Sequence, residues 1–405
     1  MWWVLLRGGL VGGFRGLLGV VLAVLSAFAG TLAFRVSVPA VAFYVRFVLE
    51  SSVFGVGLLT TAFFGARALS SVWSGRLFDR LGGRLLYVSS AAFVCNAGVT
   101  LLYCAASTLP EVLAVKAAQG VLNGLAWVPM QAALGAAAPE GVRGRAYSAY
   151  FIAGSVGGMV GNAAYAALAS APLAAPITLS AAAFTASSAM AAALGRELEV
   201  AGLRLKPRRR GGGGAVGRGA AARGASLPLL IAASASPALL ASVVRGSLIY
   251  VYMSSAYGLS KAAAAAFVAA ASTASLPASY FISWAADRFG GRAALTSSLA
   301  ACVAGAALLG FRDPAAGIAG LALAYVGLAG AVPVIRRVAS LMAGGGAALG
   351  AVNAAANLGN VCGAAIAGYV STVVPPALPY EPVALLMALP AGSVAACLAL
   401  RGRHP

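Results

Sequence analysis

Four basic side chains stand inside long apolar stretches of the sequence: Arg35, Arg67, Lys116 and Arg245. A charge at the centre of a bilayer costs about 2.5 to 3.5 kcal/mol on insertion scales, so each of the four is a candidate binding residue. No acid follows them inward. Glu50, Asp79, Glu111, Glu140, Glu197, Glu199, Asp287, Asp313 and Glu381 fall in loops or at the ends of apolar stretches, and the single histidine, His404, lies in the C-terminal tail. Positive charge without buried negative charge suits an anion, because the guanidinium fork matches the oxygens of phosphate and carboxylate. A metal site of acids or a histidine cluster is excluded by the same census, so membrane-embedded metalloenzyme chemistry and a cofactor are not expected.

The elements that hold these residues are set by composition. The chain is 61% hydrophobic and 9% charged, with a mean hydropathy of +0.91 over 405 residues, a surface that no water-soluble domain of this length tolerates. Apolar stretches of about 20 residues or more fit helices that cross roughly 30 Å of hydrocarbon, whereas a β-barrel needs short alternating strands. Twelve spans are expected, at 17–44, 53–75, 85–106, 110–136, 146–170, 173–195, 227–252, 261–285, 293–311, 315–337, 347–373 and 382–400. The fold class is therefore all-α and polytopic, and the bilayer is its surroundings. The net charge of +19 does not point to nucleic acid, since the basic residues sit between spans and not on one soluble module. Cys95, Cys104, Cys302, Cys362 and Cys397 lie singly in apolar segments and read as small buried hydrophobes. Met1 to Gly13 reads as an uncleaved cytoplasmic tail or an interfacial anchor.

One long hydrophilic segment, 196–226, divides the chain into an N-terminal bundle at 1–195 and a C-terminal bundle at 227–405. Its Lys206, Arg208, Arg209, Arg210, Gly211 to Gly214, Arg218 and Arg223 make it a flexible basic linker. Placing the linker and both termini in the cytoplasm leaves 21 of the 28 basic residues inside and only Arg46, Lys261 and Arg312 outside. That bias fixes the orientation. The halves also overlay. Arg35 with Ser37 matches Arg245 with Ser247, Asp79-Arg80 matches Asp287-Arg288, Pro129 matches Pro333, and Gly157 and Gly161 match Gly359 and Gly363, at offsets of 202 to 210 residues. A six-helix unit has been duplicated.

After the second span comes Gly75-Arg76-Leu77-Phe78-Asp79-Arg80-Leu81-Gly82-Gly83-Arg84, echoed after the eighth by Ser283 through Asp287, Arg288, Gly290 and Arg292. Gly75 lets a helix approach its neighbour, Gly82 and Gly83 permit a tight reversal, and Asp79 can accept from helix N-termini or arginines. Twelve spans, a long central loop and this repeated turn resemble the major facilitator superfamily of secondary transporters. The stretch Lys116-Ala117-Ala118-Gln119-Gly120, with Pro129 and then Pro139-Glu140-Gly141-Val142-Arg143-Gly144-Arg145, resembles the family's fourth span and the loop after it. Gly83 and Ser283 depart from the family's turn pattern, and Lys116 stands where arginine is commoner. The resemblance implies two bundles that rock about a central cavity lined by spans 1, 4, 7 and 10. It also implies a cytoplasmic latch made by Gly75, Asp79, Arg80, Gly82 and Arg84 and by Asp287, Arg288, Gly290 and Arg292.

Within that frame Arg35 and Arg245 each lie about 18 residues into their spans, roughly 27 Å along the helix, and are expected at matching depth, facing each other across an anion. The competing reading is that both snorkel to the outer surface. Arg67, at mid-span, is expected in the cavity or paired within its bundle. Lys116 is expected either at the substrate or snorkelling outward. Gln119 and Asn123 complete the candidate binding set, with Trp127, Tyr325, Asn162, Asn353, Asn357 and Asn360 as further polar residues that could equally serve as interhelical hydrogen-bonding groups. Tyr250, Tyr252 and Tyr257 are expected as interface or gate aromatics. A paired arginine in spans 1 and 7 also resembles the organophosphate and phosphate antiporters of the superfamily. The absence of a titrating group in the spans disfavours a proton symporter of the carboxylate or histidine type. The expected protein is a monomeric plasma-membrane carrier of a small anion: an organophosphate, phosphate or carboxylate. The alternative is a carrier of neutral or amphipathic solutes, a sugar or a drug for efflux, whose arginines are structural.

Overall fold

The computed structural model describes residues 14–81, 84–137, 143–200, 227–289, 291–311, 313–341 and 345–373. Among them there are helices and no strands, as lipid requires of a backbone that must satisfy its own hydrogen bonds. The order is α1 (Phe14–Phe43), α2 (Val53–Leu81), α3 (Leu85–Leu101), α4 (Leu109–Ala137), α5 (Arg143–Leu168), α6 (Ala174–Val200), α7 (Leu227–Val244), α8 (Leu248–Tyr257), α9 (Lys261–Phe289), α10 (Gly291–Leu309), α11 (Pro314–Leu341) and α12 (Gly345–Val373). A π-helical turn, Tyr44–Val48, continues α1. Eleven of the expected spans are thus helical, the seventh in two pieces. The twelfth, 382–400, lies outside the described residues. Six stretches pass by length and apolarity alone: Leu17–Val48, Val53–Ser71, Leu85–Cys104, Ala149–Leu168, Ala174–Glu199 and Pro314–Val332. In α4, α9 and α12, each 29 residues long, alanine and glycine dilute the hydropathy while the length remains ample.

The seventh span departs from the unbroken helix expected at 227–252. α7 and α8 are bent by 57° across Arg245, Gly246 and Ser247. A β-carbon at Gly246 would overlap the Ser242 carbonyl and lie 2.8 Å from Thr60 Oγ1, so only glycine fits the turn. Thr60, from α2, satisfies part of the interrupted backbone by accepting from the Ser247 N–H at 3.2 Å. Broken backbone at this depth is tolerated because Gly246 and Ser247 are buried in protein.

The described helices fall into two compact units. The first takes the chain up to Ala40, Ala66–Ala106, and the chain from Ala117 through α6; the second takes Val41–Gly65, Ser107–Lys116 and the chain from α7 onward. The division therefore does not fall only at the linker, because the ends of α1, α2 and α4 nearest the expected outer side group with α7–α12. In the first unit the core is Phe93, Met130, Leu134, Tyr150 and Phe184. Adjacent serines of α6 reach two helices, Ser187 Oγ lying 2.8 Å from Ser26 Oγ and Ser188 Oγ 2.8 Å from Ser90 Oγ. Small hydroxyls of this kind join helices where lipid offers no hydrophobic driving force. In the second unit Leu230, Leu299, Val334, Ile335 and Val352 form the core, and Ser234 Oγ donates to the Val352 carbonyl at 2.9 Å.

Each unit contains one crossing where a glycine ridge meets the binding-candidate helix. On α5, a β-carbon at Gly157 would overlap the Phe28 carbonyl, and one at Gly161 would lie 2.7 Å from the Leu32 oxygen. On α12, a β-carbon at Gly359 would lie 2.5 Å from the Ala235 oxygen, and one at Gly363 would overlap the Leu239 carbonyl. The duplicated glycines seen in the sequence thus perform the same close approach twice.

Candidate functional site

The crossings fix a register that the sequence overlay did not. Phe28 and Leu32 stand to Gly157 and Gly161 as Ala235 and Leu239 stand to Gly359 and Gly363, which pairs α1 with α7 at an offset of 207. Phe43 and Tyr250, related by the same offset, touch edge to face at 6.5 Å. In this register Arg35 corresponds to Ser242, not to Arg245. A β-carbon at Gly161 would lie 2.8 Å from Arg35 Cβ, and one at Gly363 would lie 2.5 Å from Ser242 Oγ. The expectation that the two arginines occupy equivalent points is therefore corrected: Arg245 lies three residues further along, about 4.5 Å of helix rise.

Arg35 is half-buried on α1. Its stem lies along the glycine face of α5, where a β-carbon at Gly158 would come within 3.4 Å of Cγ and 3.8 Å of Nε. The missing side chain at Gly158 leaves room for the long arginine. In the second unit the counterpart positions carry Ser242 and Asn360, a small residue opposite a larger one. Asn360 Nδ2 donates to the Ala356 carbonyl within its own helix at 2.9 Å.

Arg245 is also half-buried and stands at the break between α7 and α8. Its guanidinium carbon lies 4.8 Å from the ring centre of Tyr325 on α11, and Tyr325 is buried. The negative face of the ring attracts the guanidinium electrostatically. The sequence had placed Tyr325 among the candidates without linking it to Arg245.

Arg67 sits at the middle of α2 and is half-buried. There α2 meets α4 closely, since a β-carbon at Gly124 would lie 3.1 Å from the Arg67 carbonyl oxygen and 2.9 Å from the Ser71 nitrogen. Lys116 is 2% exposed, so the snorkelling alternative does not hold for it: its ammonium is enclosed by protein. Gln119, one turn on, has both ends of its amide engaged inside the first unit. Tyr103 Oη donates to its Oε1 at 2.8 Å, and its Nε2 donates to Thr100 Oγ1 at 2.8 Å. Asn123 is buried, and its Oδ1 has no hydrogen-bond partner among the described residues. Asn162 is buried, while Asn353 and Asn357 are half-buried on α12.

Tyr252 and Tyr257 brace the end of α8 against α10, donating to the Leu309 carbonyl at 2.6 and 3.0 Å. Of the latch residues, Gly75, Asp79 and Arg80 lie in the last turns of α2, Asp287 and Arg288 in those of α9, and Arg292 at the start of α10. Their side chains lie outside the described residues, as do Gly82 and Gly290 altogether. Arg84, just ahead of α3, is exposed. The acids whose side chains are described sit at helix ends and turns, in keeping with the sequence census: Glu50 between α1 and α2, Glu111 in the first turn of α4, Glu197 and Glu199 at the end of α6, and Asp313 ahead of α11. Sequence reasoning missed Thr60 and the Thr100–Tyr103 pair around Gln119, because a hydroxyl in an apolar span carries no pattern of its own.

The fold is shared widely among solved structures. The human organic anion transporter MFSD10 (TETRAN) aligns with a TM-score of 0.68 at 16% identity, over 94% of this chain and 99% of its own. A bacterial homologue of the human lysosomal transporter Spinster, inward-facing and occupied, aligns at 0.66 and 14%, over 95% of this chain and 96% of its own. The nucleoside transporter NupG aligns at 0.64 and 13%, over 97% of this chain and all of its own, 100%. No curated protein matches in sequence. The sequence profile of the Major Facilitator Superfamily matches residues 23–246, more than half of a chain whose helices, duplicated crossings and turn motif fit that family, and the protein therefore belongs to the Major Facilitator Superfamily of membrane transporters.

Proposed function

We propose that the protein carries a small anion, an organophosphate, phosphate or carboxylate, across the plasma membrane by alternating access, as a monomer with both termini in the cytoplasm. Arg35 and Arg245 supply the charge that selects the anion, with Arg67, Lys116 and Asn123 as secondary polar contacts. The observation that carries this reading is the charge census: four bases within the spans and every acid in a loop or at a span end. Placing a cation within a span is costly, and an anionic solute that arrives and leaves is compatible with a carrier whose spans hold bases and no acids. The setting of Arg245, at a helix break and over Tyr325, supports it, since interrupted helices are where transporters of this kind expose backbone and side-chain groups to their solutes. One structural relative is an organic anion transporter, in keeping with this, while the others are a nucleoside transporter and a bacterial homologue of a lysosomal transporter.

Exchange or facilitated passage fits better than proton symport through an embedded carboxylate. The second reading, a neutral or amphipathic solute with structural arginines, has one observation in its favour: the Tyr325 ring gives Arg245 a packing role that needs no anion. The test is uptake into proteoliposomes of labelled phosphate, glycerol phosphate and dicarboxylates. Arg35→Ala and Arg245→Ala are expected to abolish uptake of whichever anion the wild type carries while unfolding at the wild-type temperature. Undiminished uptake by both variants rejects the assignment.

A further inference from the structure

The end of α1 carries a second cationic cluster that the transport reading does not use. Orientation by the basic residues leaves only three of them on the outer side, and two of these, Arg46 and Lys261, converge on one aromatic ring. The Arg46 guanidinium carbon lies 5.9 Å from the Phe47 ring centre and Lys261 Nζ lies 5.9 Å from the same ring, with Phe43 5.8 Å from the lysine. Phe43 and Phe47 stack at 5.9 Å. The π-helical turn Tyr44–Val48 produces this arrangement: its wider backbone, closed by Leu49 N–H donating to the Tyr44 carbonyl at 3.0 Å, leaves Phe47 45% and Val48 62% exposed beside the cations.

The cluster is positive without an internal partner. Lys261 is the first residue of α9, where the helix dipole already contributes positive charge and a cation is disfavoured. Ser260 caps that end, its Oγ accepting from the Ala263 N–H at 3.1 Å. Neither Arg46 nor Lys261 forms an ion pair among the described residues. Two acids of other turns are engaged by backbone, Glu111 accepting from the Ser107 and Thr108 N–H groups at 2.7 and 3.1 Å and Asp313 from the Ala316 N–H at 2.8 Å, while Glu50, four residues after Arg46, is exposed. Arg46 Nη1 donates to the Ser51 carbonyl at 2.9 Å, whereas its Nε is buried with no hydrogen-bond partner among the described residues.

We infer that Arg46, Lys261 and the start of α9 hold the phosphate of an anionic phospholipid of the outer leaflet, whose chains lie against Phe47 and Val48. A lipid is favoured over a free anion because the two cations border an exposed apolar surface at headgroup level, where a phosphodiester and its acyl chains are both accommodated. The bound lipid joins the end of α1 to the start of α9, both in the second unit.

The test uses the full chain purified in maltoside detergent, with native mass spectrometry of retained lipid and thermal unfolding as readouts. Phosphatidylglycerol is expected to raise the unfolding temperature by several degrees, more than phosphatidylcholine or inorganic phosphate. Lys261→Glu is expected to retain one phosphatidylglycerol fewer than wild type and to lose at least half of the thermal gain. That variant places an acid where the helix dipole favours it, so a failure to bind is not a failure to fold. Arg46→Gln is expected to weaken retention in the same way, and Arg196→Gln, at the exposed end of α6, to leave this adduct in place. Wild-type retention by Lys261→Glu overturns the inference. So does equal stabilisation by inorganic phosphate, which would mark a free-anion site.

Discussion

The two glycine crossings, α5 on α1 and α12 on α7, are built alike and used differently. In both, two glycines four residues apart press against successive carbonyls of the partner helix, the close approach by which small residues hold helices together in lipid. Around that shared contact the chemistry has diverged. On α1 the next position along that face carries Arg35, given room by Gly158; on α7 it carries Ser242, with Asn360 standing where α5 has Gly158. The second arginine sits one turn on, where α7 stops and α8 begins, and rests on Tyr325. Duplication has preserved packing, which tolerates few alternatives at such distances, while charged residues have been free to move along the helix. The two arginines are thus alike in kind and unequal in setting: one lies on a continuous helix against a glycine face, the other at a hinge-like break against an aromatic ring.

The largest expected effect breaks the shared part. Gly157→Leu forces a side chain into the Phe28 carbonyl, and Gly363→Leu into that of Leu239. Each is expected to lower stability by about 3 kcal/mol, read as a large fall in unfolding temperature in detergent and in the yield of monodisperse protein. If one variant is tolerated and the other is not, the crossings are not equivalent. A middle-sized effect tests the arginine peculiar to the second unit. Tyr325→Leu is expected to weaken binding of the transported anion about tenfold, roughly 1.4 kcal/mol, with Tyr325→Phe near wild type, because it is the ring face that matters. The smallest effect tests the first unit. Gly158→Asn imitates Asn360, crowds the Arg35 stem and is expected to weaken binding roughly threefold at an unchanged unfolding temperature. An unchanged affinity would mean that Arg35 needs no room there.

Much of the architecture could be read from residues alone, and the reasons are physical. Spans are legible because hydrocarbon admits few backbone solutions, and the repeat because Gly157, Gly161, Gly359 and Gly363 have no substitute at a carbonyl contact. The site was harder. Arg35-Val36-Ser37 and Arg245-Gly246-Ser247 resemble each other as letters, and within an offset that drifts from 202 to 210 residues nothing in the sequence chooses between Arg245 and Ser242 as the partner of Arg35. Only the carbonyls under the glycines choose. Gly246 hinted at a break, but the partner of that break, Thr60, lies 187 residues from Ser247 on another helix. Lys116 illustrates the converse: its distance from the helix end allowed snorkelling, and only the surrounding packing excludes it. Gln119 could be placed on the right helix, while its engagement by Tyr103 and Thr100 depends on how α3 and α4 meet.

Selection of an anion by Arg35 and Arg245 is put to the test by ligand-induced thermal stabilisation of wild type, Arg35→Ala and Arg245→Ala across phosphates, carboxylates, nitrate, sugars and nucleosides. At least one phosphate or carboxylate is expected to stabilise the wild type and neither variant. Stabilisation of all three proteins by the same neutral solute, with no anion acting on the wild type, would contradict it.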